Sequence, residues 1–259
     1  MAGGIDLATL GVLLLAAFGA GVLNAIAGGG SFLTFPALVW AGIPPIPANA
    51  TSAIVVAPGY LGSTLGFRQE LGELPRRTLR NDALVSAIGG VAGALLLLVT
   101  PAKVFAGIVP WLLLFATALF ALGPRIGRWV GAHHAEGSAG QRWRLPALLL
   151  VAVYGGYFNG GLGILLMAMY LLVGETRLHT VNALKNLDSL VLSIVSVAAF
   201  AWAGAIVWQH ALPMMVAATV GGFAGAGMAR RLPLAWVRAI VIGTGVVMSV
   251  LFFMRTTQA

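Results

Sequence analysis

The sequence predicts an all-α integral membrane protein made of two inverted repeats of five apolar segments each. Three observations predict it. Hydrophobic residues make up 59% of the 259 residues and charged residues only 8%, with a mean hydropathy of +0.97. A soluble domain carries about 25% charge. Several apolar runs approach or exceed the roughly 20 residues that span a bilayer. The chain also repeats itself: Asn24-Ala-Ile-Ala-Gly28-Gly29-Gly30-Ser31 is answered by Asn159-Gly160-Gly161-Leu162-Gly163, 135 residues on from Asn24 to Asn159. An internal repeat in a hydrophobic chain is a mark of many transporters.

The apolar segments cover residues 7–27, 31–43, 48–66, 83–100, 103–122, 145–159, 161–173, 180–204, 208–229 and 235–254. The first follows a start, Met1 to Ile5, without the basic region of a signal peptide, so it is expected to stay attached as a membrane segment. The second and seventh hold about 13 residues, or about 20 Å of helix. That is short of the hydrocarbon core, so both are expected to be broken or re-entrant half-helices. Before the third, Pro44, Pro45 and Pro47 oppose helix, which puts Asn49 at or near its start, where capping is the plain role. In the fourth, Gly89-Gly90-Val-Ala-Gly93-Ala matches Gly221-Gly222-Phe-Ala-Gly225-Ala of the ninth, and close helix packing explains both. Residues 101–109 of the fifth align loosely with 233–241 of the tenth. The stretch 1–122 thus reads as a first membrane repeat, 123–144 as a cytoplasmic connecting loop, and 145–259 as a second membrane repeat.

Basic residues assign the sides. Arg68, Arg76, Arg77 and Arg80 fall in 67–82; Arg125, Arg128, Arg142 and Arg144 in 123–144; Arg177 and Lys185 in 174–186; Arg230, Arg231 and Arg238 in 230–238. Ten segments put these four regions on one side and leave only Lys103 and Arg255 on the other. By the positive-inside rule the four regions are cytoplasmic and both termini lie outside. An odd number of segments per copy then makes the copies inverted. The tryptophans near segment ends fit interface anchors.

Several classes are excluded. The chain has no cysteine, so it has no disulfide and no thiolate metal site. Its four histidines form no haem or zinc pattern, and neither a metal nor any other cofactor is expected. The net charge of +8 reflects cytoplasmic loops rather than nucleic-acid binding. No Walker A sequence is present, so direct use of ATP is not expected.

The repeated motifs carry the chemistry. Glycine-rich backbone at membrane depth is costly unless it is buried or lines a cavity. A helix N-terminus exposed by such a break offers free N–H donors and partial positive charge, which suits an anion. Gly28, Gly29, Gly30 and Ser31, with Asn24 a turn before, form one break; Asn159, Gly160 and Gly161 form the other. Two breaks meeting near the midplane would enclose a small polar chamber. A second pair of motifs, Asn49-Ala-Thr51-Ser52 and Asn182-Ala-Leu184-Lys185-Asn186, adds amides, hydroxyls and one cation. The sequon Asn49-Ala-Thr51 is chance in so apolar a setting. Lys185 and Asp188 are three apart and share a helix face. Asp188 is the one acid placed inside a span, and intramembrane charges tend to be functional, so it is the candidate for proton coupling.

These residues resemble a known family. Asn24 to Ser31, Phe35-Pro36-Ala-Leu and Pro47-Ala-Asn49-Ala-Thr51-Ser52 look like the TauE/SafE family of sulfite exporters, also called TSUP. Asn159-Gly160-Gly161 through Asn186 is similar to that family's second repeat, and the match covers nearly the whole chain. Leu162 interrupts the second glycine run, so the half-sites need not contribute equally. The resemblance implies a transporter, not an enzyme, for a small sulfur-containing anion such as sulfite, sulfoacetate or a similar sulfonate, or thiosulfate. It also implies a bacterial-type plasma (inner) membrane. The expected partners are that anion and the lipid bilayer, with a homodimer left open and no nucleic acid. Export by one repeat rocking against the other is the expected mechanism. An anion channel using the same polar residues is the rival reading. An intramembrane enzyme is disfavoured, since the spans show no paired carboxylates and no nucleophile–base pair.

Overall fold

A computed structural model describes residues 6–26, 29–133, 139–228 and 234–256. Eleven helices make up these residues: α1 (Leu7–Ile26), α2 (Ser31–Trp40), α3 (Pro45–Gly66), α4 (Arg68–Gly72), α5 (Arg76–Val99), α6 (Ala102–His133), α7 (Ala139–Tyr157), α8 (Leu162–Leu172), α9 (Leu178–Trp202), α10 (Trp208–Met228) and α11 (Leu234–Thr256). The fold is all-α and multi-pass. Among the described residues four helices are long and apolar enough to cross a membrane, over Leu7–Ala25, Arg76–Val99, Ala102–Leu122 and Leu178–Trp202. That is fewer than the ten segments expected. Ser31–Trp40 and Leu162–Leu172 are short, as their length in the sequence requires.

Three differences in the elements have local causes. The helix α3 begins at Pro45, four residues before Asn49. Proline at the first helical position lacks only an N–H that would have no partner, and its fixed φ suits the helix. Asn49 is therefore not a cap. The expected loop 123–144 is helical at both ends, since α6 runs to His133 and α7 starts at Ala139. A short helix, α4, forms in the arginine-bearing connection after α3.

The helix contacts show an internal pseudo-symmetry. The helix α1 packs along α10, and α7 packs along α5. Likewise α3 packs on α10 as α9 does on α5, while α3 meets α9 and α6 meets α11. Glycines set the closest approaches. A Cβ at Gly21 would lie 1.9 Å from the Ala218 carbonyl oxygen, and one at Gly156 would lie 2.4 Å from that of Gly90. A Cβ at Gly221 or Gly93 would meet the carbonyl oxygens of Phe18 or Val153 at 2.0 and 2.1 Å. The two short helices end alike. The N–H groups of Gly42 and Ile43 bond back to Val39 and Leu38, as those of Gly174 and Glu175 do to Leu171 and Tyr170. The tightest packing thus runs between the copies.

A paired break and a buried charge cluster

The chain breaks twice inside the bundle, and the breaks adjoin. Gly29 has φ +94° and Gly161 φ +77°, the left-handed region that glycine enters without cost. Each break frees the N-terminus of a short helix, α2 or α8. Ser31 Oγ, on the first residue of α2, donates to the Asn159 carbonyl at 3.1 Å. A Cβ on Gly161 would lie 3.7 Å from the Phe32 ring on α2. Asn49 bridges from α3: its Nδ2 donates to the Tyr157 carbonyl at 3.2 Å, and its Oδ1 accepts the Asn159 N–H at 3.5 Å. Tyr154 donates to the Gly160 carbonyl at 2.7 Å. The Tyr157, Asn159 and Gly160 carbonyls and the Asn159 N–H are thereby paired, as burial demands.

Other expected site residues divide. Asn24 Oδ1 accepts the Gly30 N–H at 2.8 Å and so holds the first break. Asn24 also lines a cavity of about 300 Å³ between α1, α3 and α10. Ser52 pairs with Thr34 on α2 at 2.6 Å. Thr51 accepts the Val207 N–H at 3.0 Å, just before α10. These two hydroxyls join helices to each other. Asn182 donates to the Leu178 carbonyl of its own helix at 3.0 Å and does not reach the break. Asn186 is buried on α9. Lys185 is 9% exposed and lays its stem over Gly163, in the first turn of α8. It makes no ion pair among the described residues; Lys185 and Asp188 are not partners. Gly28 lies outside the described residues.

Four helices converge on a charge cluster, which Tyr170 joins from the end of α8 away from the break. Arg144 of α7 grips Asp82 of α5 with both arms of its guanidinium, Nε to Oδ1 at 3.3 Å and Nη2 to Oδ2. Its Cζ lies 5.0 Å from the centre of the Tyr170 ring. The Tyr170 hydroxyl, on α8, bonds to Asp82 Oδ2 at 3.1 Å and to Asp188 Oδ2 on α9. Ser86 donates to Asp188 Oδ1 at 3.0 Å. All five side chains are buried. The sequence reading missed Asp82 and took Arg144 for a loop residue. It also found no paired carboxylates, whereas Asp82 and Asp188 share one hydroxyl. Their position at the ends of arginine-rich stretches hid them. A polar residue every fourth position, Asp82 then Ser86, was the available signal.

The cluster can hold a proton. Two carboxylates and one guanidinium leave one negative charge in the bundle interior. The tyrosine hydroxyl owns a single proton and fully serves one carboxylate. A proton on Asp188 supplies the second hydrogen bond and makes the cluster neutral. No group of three His, Asp or Glu that could hold a metal forms among the described residues.

A multi-pass helical bundle with two short helices meeting at paired breaks has the build of a membrane transporter. The chain belongs to the TauE/SafE sulfite exporter family, whose model matches residues 13–252. It is 30% identical to the "Probable membrane transporter protein YfcA" of Escherichia coli strain K12, over 93% of this chain and 88% of that one. It is 29% identical to the "Probable membrane transporter protein ORF9" of Sinorhizobium sp., over 95% and 91%. A "Probable membrane transporter protein" of Haemophilus influenzae is 28% identical, over 87% and 86%. No solved structure matches the chain. Secondary transport, and not catalysis, is the role that family membership gives it.

Proposed function

We propose that the protein moves a small sulfur-containing anion (sulfite, sulfoacetate or a similar sulfonate, or thiosulfate) out across a bacterial-type inner membrane by alternating access. The observation that carries this reading is the meeting of two helix N-termini at the paired break, tied by Ser31 and Asn159. The positive ends of the two helices there favour an oxyanion. The family description names sulfite as the exported species. Asn24, Gly28, Gly29, Gly30, Ser31, Asn49, Thr51, Ser52, Asn159, Gly160, Gly161, Asn182, Lys185 and Asn186 are the proposed binding set. Asn24, Asn49, Asn159 and Lys185 have the best support, because each stands at a break or over the start of α8. Residues 1–122 and 145–259 are read as inverted repeats, with both termini outside and 123–144 in the cytoplasm. Asp188 is the proposed proton carrier.

Flux in proteoliposomes tests this reading. Wild type should show saturable sulfite or sulfoacetate transport with counterflow, which a channel lacks. Asn159→Ala and Lys185→Ala should each lose at least tenfold while remaining folded. Asp188→Asn should lose transport driven by an imposed pH gradient yet keep counterflow. Normal flux in all three would remove the proposed site, and unchanged pH-driven transport in Asp188→Asn would remove its proton role.

A further inference from the structure

The cavity of about 300 Å³ between α1, α3 and α10 shares only Asn24 with the proposed binding set. Gly59 and Gly62 of α3, Gly21 of α1 and Gly222 of α10 open it, with Asn24 and Ser63 supplying polar groups. Asn24 points its amide nitrogen that way. Its Oδ1 is held by Gly30, and its Nδ2 lies 3.7 Å from where a Cβ on Gly59 would stand. That nitrogen donates to no described residue.

The repeat shows what the cavity is. Counting on from Asn49 and Asn182, Gly59 and Gly62 stand opposite Leu192 and Val195, and Gly222 is the counterpart of Gly90. In the second copy the same place is filled. A Cβ on Gly90 would lie 2.9 Å from Val195 Cγ2 and 3.2 Å from Leu192 Cγ. On Gly222 it would meet only the Gly21 carbonyl oxygen, at 3.9 Å. Ser189 and Ser193, beside Leu192, are buried with hydroxyls that find no partner among the described residues. Buried hydroxyls of this kind want water or a ligand.

The two places also differ in depth. Gly62 lies four residues before the end of α3, and Arg68 follows at the start of α4. Gly90 lies fourteen residues into α5 from its arginine-bearing start at Arg76, about 21 Å along the axis. The open place therefore faces the arginine-bearing end, and its filled counterpart faces the opposite end.

We propose that this cavity is the intake site through which the transported anion enters from the arginine-bearing end, with its charged head at the Asn24 amide. We further propose that the anion carries a short apolar portion. A cavity of about 300 Å³ has room for many waters, since one water needs only about 10–15 Å³ of such space. A bare oxyanion leaves most of that unfilled, and Val55, Val56 and Phe223 supply apolar wall. A sulfonate with a carbon chain fits head and wall together. Leu192 and Val195 against Gly90 close the opposite end in this state. This inference rests on the transporter reading above.

Two measurements separate the two claims. Counterpart residues are placed in the cavity, as Gly59→Leu and Gly62→Val, and sulfoacetate and sulfite fluxes are measured. Each variant should keep or raise its unfolding temperature. Each should also lose at least tenfold in sulfoacetate flux, with a smaller loss for sulfite. Undiminished sulfoacetate flux would overturn the proposal, and an equal loss of both anions would overturn its apolar part. Independently of flux, Ser63→Cys should react with a small sulfonate-bearing methanethiosulfonate from the face that labels Glu73→Cys. Adding Gly59→Leu should slow that reaction at least tenfold. Failure to label also overturns the intake site. Labelling as expected without transport of any sulfur anion would keep the intake and remove the sulfur-anion reading.

Discussion

Asp82 and Arg144 form the ion pair whose disruption should cost most. Both are buried, and the guanidinium uses both arms. Removing one partner of a buried pair typically costs about 3–5 kcal/mol, because it strands the other charge, while apolar replacement of both is often neutral. Asp82→Ala should therefore unfold at markedly lower denaturant, and Asp82→Leu with Arg144→Met should recover most of the loss. Denaturant titration in detergent micelles reads both. Asp188 was legible in the sequence because it is the one acid placed inside an apolar segment, 180–204. Asp82 and Arg144 were not, since each sits among arginines whose simplest reading is a solvated turn. Only the convergence of α5, α7, α8 and α9 brings them together.

At the scale of the helix, glycines fall into two kinds that sequence alone does not separate. Gly93 and Gly221 face a neighbour's carbonyl oxygen at contact distance, whereas Gly11 and Gly107, also helical, have nothing within 4 Å of the place a methyl group would take. Gly93→Ala and Gly221→Ala should each lower the unfolding temperature, since overpacking costs about 1–3 kcal/mol and the backbone must move apart. Gly11→Ala and Gly107→Ala should be neutral or stabilising, because alanine favours helix by up to about 1 kcal/mol. Thermal unfolding of the four variants would sort them. Segment positions were readable from hydropathy, and the half-length of α2 and α8 from counting residues. The start of α3 was misread because three prolines suggest a break, although the first of a helix's positions accepts proline well.

For the whole molecule, the paired motifs told of a repeat, and the matching helix contacts agree with an internal pseudo-symmetry. The sequence could not tell which helices of one copy embrace the other, because positions such as Gly21 and Gly156 take their meaning only from the facing backbone. Sidedness is open to a direct measurement, since the chain has no native cysteine. If the copies are inverted, Glu73→Cys, just after α4, and Ala203→Cys, in the equivalent connection between α9 and α10, should react with a membrane-impermeant maleimide from opposite faces. Labelling of both from one face would refute the arrangement.

The embrace of α1 by α10 has a consequence for synthesis. Gly21 and its contact Ala218 are separated by almost two hundred residues of chain. At about 5–20 residues per second, the ribosome takes roughly 10–40 s to make what lies between. During that time the first helix stands in the lipid with its glycine face bare, and so does α5 until α7 arrives. Neither half of the chain can finish folding before the other exists. Assembly must wait for release of nearly the whole polypeptide.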